Sequence, residues 1–308
     1  MPLLSLGIPP RAPRSLLRRR RTLTTTRRLG SRVGLLVGLT VVVTGVVFLL
    51  PRLPQDASYH GFADQRAFLG VPSFANVVSN LAFVLVGALG LRFLRARRAP
   101  RASIAFVDPR ERAFFLLFFA AVALIGPGSA YYHWAPDNAR LVWDRLPMTL
   151  AFMTLFAAII GERLGVGAGR ALLAPLLGAG VASVAYWHLT ELRGMGDLRP
   201  YVLVQFYPML AIPLLLLMFP PRYTRGGDLM IVLGLYGIAK LLELGDALVL
   251  SWLRVVSGHA LKQVVSAVAC YWILRMLERR QPLASNADPP ESRTAAETAV
   301  LRDPASAP

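Results

Sequence analysis

The chain has 308 residues, 55% of them hydrophobic and only 17% charged, with a mean hydropathy of +0.51. A soluble domain of this length carries more charge, and the sequence lacks the short alternating segments of a transmembrane barrel, so the class is an all-α polytopic membrane protein. The net charge of +17 does not point to nucleic acid, because the arginines sit in blocks beside apolar runs, as the positive-inside rule expects.

Residues 1–32 are rich in Arg, Pro, Ser and Thr and are expected to form a disordered basic cytoplasmic tail. Arg18, Arg19, Arg20, Arg21, Arg27, Arg28 and Arg32 fall here, just before the first apolar run. The stretch TTTRRLGSR faintly resembles a twin-arginine signal. No small-residue cleavage site follows, so an uncleaved anchor at 33–50 is expected. Seven further apolar helices are expected over roughly 73–95, 113–133, 145–161, 171–189, 201–219, 229–250 and 258–277, each near the length that spans a bilayer. The fold expected is a seven-helix transmembrane core plus one extra N-terminal helix. Pro147 suits a first helical turn, and Pro208 and Pro213 predict a kink. Residues 283–308 are polar and Pro/Ala-rich and are expected to be a disordered tail.

The loop at 92–112 holds Arg92, Arg95, Arg97, Arg98, Arg101, Arg110 and Arg112. The positive-inside rule puts it and the N-terminal tail in the cytoplasm, and eight crossings return the C-terminus there. His133 then ends an outward helix, while Asp144 and His259 begin inward ones. His188 ends another outward helix, and His60 precedes the second helix on the same side. All four histidines therefore lie towards one membrane face.

Ser129 and His133 are four residues apart, hence on one helix face, and so are His259 and Gln263. Taken singly, each polar residue has a simple explanation. Ser129 suits a small-residue helix contact, Asp144 a dipole-favoured helix start, and His188 in WHLTE an interfacial belt. At one depth and from several helices, they read better as a metal or catalytic site, since intramembrane polar groups are costly. The lone cysteine, Cys270, allows no intrachain disulfide and no Cys-based metal set. Lys240, Glu243 and Asp246 share one expected helix. Lys240 and Glu243 should pair, and Asp246, nearest the outer end, either helps that packing or contacts the metal site or a lipid headgroup.

The order Ser-x-x-x-His, an Asp eleven residues after the His and a late His-bearing helix resembles the alkaline ceramidase family. That family belongs to a group of seven-helix membrane hydrolases that includes the adiponectin-receptor-like proteins. The segment YHGFADQRAFLGVPSFANVVSNLAF carries the family's N-x-x-S-N-L run as Asn76, Ser79, Asn80 and Leu81. TELRGMGDLRPYVLVQFYPML and AKLLELGDALVL look like the bacterial branch. The resemblance spans roughly 56–277 and leaves 33–50 as an addition. It implies a zinc-dependent amidase that cuts the N-acyl bond of a ceramide-like lipid of the membrane. It also implies a bacterial inner-membrane location with the site near the periplasmic face. It assigns His133, His259 and position 263 to zinc, Asp144 to the proton of the zinc-bound water, and Ser129 to the amide carbonyl.

The family has a histidine where Gln263 stands, and a neutral amide is a poorer zinc ligand than imidazole. Either Gln263 or His188 would supply the third ligand, or catalysis has been lost and the chain is a lipid-binding relative. The family's calcium site is not expected. Asp56 and Asp64 remain, but Ser73 stands where an acidic residue would, and calcium needs six to eight oxygens. Asp64 and Arg66 are expected to brace the outer loop instead. No feature speaks to oligomeric state.

Overall fold

The computed structural model describes residues 14–96 and 105–283, with side chains from Leu29 onward. The expected tail segments 1–13 and 284–308 and the loop arginines Arg97, Arg98 and Arg101 lie outside the described residues. The chain forms two compact units, one ending at Pro51 and one beginning at Arg52. The first is the single helix α1 (Arg14–Leu49), whose window Leu29–Leu49 is apolar enough to cross a membrane. Residues 14–32 are thus helical rather than a disordered tail. Leu and Arg are good helix formers, and an existing helix propagates into them at little cost.

The second unit is all-helical apart from two isolated bridges among its described residues. It consists of a short helix α2 (Phe74–Val78), then α3 (Leu81–Arg95), α4 (Arg112–Trp134), α5 (Asn138–Leu164), α6 (Val166–Leu192), α7 (Arg199–Met218), α8 (Asp228–Leu244), α9 (Asp246–Leu253) and α10 (Gly258–Arg279). Among the described residues seven helices are long and apolar enough to cross a membrane. The span expected at 229–250 is not one of them, because it breaks at Gly245 into α8 and α9. Glycine is a weak helix former, and the next residue, Asp246, turns its carboxylate to backbone donors of other segments.

α5 begins seven residues earlier than expected. Asp137 caps it by accepting a hydrogen bond from Arg140 N at 2.7 Å. Pro147 therefore lies inside the helix, and Asp144 stands two turns in, beyond the reach of a dipole effect confined to the first turn. α7 runs unbroken through Pro208 and Pro213. Between α5 and α6 the chain reverses at Gly165, whose φ of 121° is a glycine conformation.

α5 is the central helix. Its membrane window is 72% buried, against 22% for α6, and it packs on α4, α6 and α7. α4 packs on α3, α3 on α10, and α10 on α8. Gln205 of α7 donates to the Tyr236 hydroxyl of α8 at 2.6 Å, linking those two helices. Lipid offers no hydrophobic drive for this assembly, so close packing must supply it. At Gly128 a β-carbon would lie 2.2 Å from the Trp143 carbonyl oxygen, so the absence of a side chain is what brings α4 against α5 at the level of Ser129 and Asp144.

The two ends of the bundle differ. At the start of α4, buried Glu111 pairs with Arg222 at 2.9 Å and accepts from Tyr223. Arg280 stacks there on Tyr223, 4.0 Å from the ring centre, and donates to the Ala105 carbonyl. This network ties the end of α10 to the 105–111 and 219–224 segments. At the other end of α4 the loop before α2 inserts Phe62 into a cluster with Tyr132, Trp187, Leu198 and Tyr201. The histidines lie at that second end.

Candidate functional site

α4 and α10 bring His133 and His259 together. Both are buried, and their Nε2 atoms are 3.3 Å apart. Phe62 covers both rings, with centroids 4.6 Å from His133 and 4.3 Å from His259. Two devices hold the start of α10 in place. Ser257 caps it by accepting from Ala260 N at 3.2 Å. Asp246 accepts from His259 N at 2.7 Å through one oxygen and from Ala63 N at 2.9 Å through the other. Asp246 therefore clamps the backbone of His259 and the loop that carries Phe62, instead of entering the site with its own charge.

Gln263, one turn along α10, points to the same place. Its Nε2 lies 2.7 Å from His133 Nε2, and its Oε1 accepts from the Ser79 hydroxyl. The N-x-x-S-N run has distinct structural jobs. Ser79 holds the Gln263 amide. Asn76 donates to the Asp64 carbonyl at 3.0 Å and receives the Ser257 hydroxyl at 3.4 Å. Asn80 ties back to the Asn76 carbonyl at 2.7 Å.

Ser129, one turn before His133 on α4, and Asp144 on α5 are both buried. Ser129, Asp144 and Gln263 line one cavity of about 280 Å³ between α4, α5, α7, α8 and α10. Its walls are mainly apolar, and a few polar groups converge at one end, the usual composition of a small-molecule site.

The other two histidines stand apart from this pair. His60 Nε2 is 3.0 Å from Asn138 Oδ1, and its Nδ1 is 2.9 Å from the Tyr132 hydroxyl. With Nε2–H donating to the amide oxygen, Nδ1 accepts from Tyr132, so His60 braces the loop against α4. His188 stands beside Trp187, and its buried Nδ1 has no hydrogen-bond partner among the described residues. Among those residues no three His, Cys, Asp or Glu side chains form a group able to hold a metal. His188 therefore does not complete a set with His133 and His259, and the group beside them is Gln263. The expected brace of the outer loop is present, since Asp64 pairs with Arg66 at 2.7 Å. Arg66 also donates to the Arg254 and Val255 carbonyls, and its hydrogen bond to Asp64 holds that carboxyl below the usual carboxylate range.

The imidazole pair fits a shared metal. Two nitrogens bound to one tetrahedral zinc at 2.0–2.1 Å stand about 3.3–3.4 Å apart, and the two Nε2 atoms are separated by 3.3 Å. Gln263 fits less well. Its Nε2 donates into the lone pair of His133 that a metal would use. Rotating the amide by 180° would present its oxygen instead and turn the NH₂ to Ser79. Among the described residues His133 Nδ1 also has no acceptor of the kind that commonly orients a ligating histidine.

Sequence reasoning passed over Phe62, Arg145 and Lys262. Arg145 directly follows Asp144, and Lys262 directly precedes Gln263. Each is a cation inside an apolar helix, which is a signal in itself. The expected Lys240–Glu243 pair is present at 2.5 Å, and Lys262 joins it, 2.8 Å from Glu243. No protein-family model matches the chain, and no curated protein matches it.

Proposed function

We propose that this integral membrane protein is a zinc-dependent amide hydrolase resembling the alkaline ceramidases, acting on the N-acyl bond of a ceramide-like membrane lipid. The observation that carries the reading is the 3.3 Å approach of two buried imidazole nitrogens, with Ser129, Asp144 and Gln263 lining a mainly apolar cavity beside them. In this reading His133 and His259 hold zinc, with Gln263 at the weaker third position. Bound zinc would supply a water of pKa about 7 as nucleophile. Asp144 would accept a proton from that water. Ser129 presents a hydroxyl donor for negative charge developing on the amide oxygen. The apolar wall receives the acyl chain and keeps bulk water from the amide. In the same reading both termini are cytoplasmic and the site opens near the periplasmic face of a bacterial inner membrane. Reporter fusions after residues 100 and 138 then locate to opposite compartments.

One observation favours a second reading, a non-catalytic lipid-binding or lipid-sensing relative. The third group at the site is an amide already satisfied by Ser79 and His133. Zinc analysis of the purified protein, together with assay of fatty-acid release from ceramide, separates the two. Stoichiometric zinc with release that is lost in His259→Ala supports the hydrolase. Lipid binding without zinc or release supports the binder.

A further inference from the structure

The polar end of the cavity carries surplus positive charge. Its wall includes three cations, Arg145, Lys240 and Lys262, but only two carboxylates, Asp144 and Glu243. Glu243 lies between both lysines, one on each oxygen, at 2.5 and 2.8 Å. A single carboxylate thus serves two ammonium groups. Arg145 is only 4% exposed. It stacks on Trp187 and Tyr201, 4.2 and 4.7 Å from their ring centres, and reaches Gln55 Oε1 with one nitrogen at 2.6 Å. Its Nε and Nη1 have no hydrogen-bond partner among the described residues.

Unpaired cations are costly in a membrane interior, and buried guanidinium donors left without acceptors add to that cost. Arginine is also the side chain best shaped for a carboxylate or a phosphate. Away from this end the wall is apolar, with Phe118, Phe152 and Ile212 among its residues. The lining therefore matches a molecule with one anionic group and a long hydrocarbon chain. A ligand without charge would leave the surplus in place.

We propose that the cavity takes an N-acyl lipid with an anionic group, carboxylate or phosphate, near its amide, the anion set against Arg145 and the Lys240–Glu243–Lys262 cluster. The inference rests on the amide-hydrolase reading for the presence of an amide in the ligand, whereas the preference for charge follows from the lining alone.

Binding to the full-length protein in phosphatidylcholine nanodiscs tests it with two matched pairs. These are N-palmitoylglycine against uncharged N-palmitoylethanolamine, and ceramide 1-phosphate against ceramide. In at least one pair the anionic member should bind tighter by about tenfold or more, the scale of one charge-assisted hydrogen bond. The pair that does so names the anion as carboxylate or phosphate. A ratio under about tenfold in both pairs overturns the proposal. Lys240→Met removes the surplus cation and leaves Glu243 paired with Lys262. Arg145→Gln removes the unsatisfied guanidinium. In each variant the ratio should fall towards one, and a melting temperature near that of the wild type reports that the protein is folded. If Arg145→Gln does not fold, Lys240→Met carries the test alone, and an undiminished ratio in it overturns the proposal. Charge preference without amide cleavage would sink the hydrolase reading and leave the preference for an anionic lipid standing, whereas cleavage without preference would overturn this proposal and leave the hydrolase reading.

Discussion

Replacing Asp246 should loosen the site without touching a proposed metal ligand. Its two oxygens accept from His259 N and Ala63 N, at 2.7 and 2.9 Å. A hydrogen bond to a charged group contributes about 1.5–3 kcal/mol. Asp246 is half-buried, so the lower end applies, and losing both bonds in Asp246→Ala should cost about 3 kcal/mol. Asp246→Asn keeps one acceptor oxygen and turns an NH₂ towards the other donor, so it should lose at least half as much. Thermal unfolding of the purified protein in detergent should therefore rank wild type above Asn and Asn above Ala. Amide hydrogen exchange should speed up at Ala63 and His259 in both variants, because those are the donors released. The loop carrying Phe62 loses its anchor too, so solvent access to the two histidines should rise. An Asp246→Ala protein that unfolds like wild type, with unchanged exchange at both amides, would refute the clamp.

Gln263→His should raise zinc affinity by more than the about 10–100-fold typical of groups that only support a ligand, whereas His188→Ala should leave zinc retention intact. Competition with a chromophoric chelator measures both, and the opposite pattern would make His188 the working ligand. Gly128→Val should push α4 from α5 at the level of Trp143, and it should reduce thermal stability and any amide cleavage together, as measured by a melt and a fatty-acid release assay. Asp197, buried between α6 and α7, is held at about 2 by the Arg199 guanidinium, against an ordinary value of 3.8. A depressed carboxyl stabilises the fold above its ordinary value and ceases to do so as pH falls through its folded one. About 2 kcal/mol should thus be lost between roughly pH 4 and pH 2. Melting curves across that range should flatten in Asp197→Asn.

The fold class was legible because lipid imposes it. Apolar runs of spanning length must be helices, since every backbone polar group has to be satisfied within the segment. Helix periodicity also joined Ser129 to His133 and His259 to Gln263. What sequence periodicity does not contain is the position of one helix against another. The contact of Gly128 with Trp143 that brings α4 against α5, the cover of Phe62 over two imidazoles and the grip of Ser79 on Gln263 join residues that periodicity does not relate. Element ends were missed where polar side chains act on backbone. Asp137 caps α5 in a stretch that reads as loop, and Asp246 breaks a run that reads as one span. His188 shows the same limit from the other side. Its depth could be read from the order of helices. Its distance from His133 could not, because depth is one coordinate and packing around α5 decides the other two.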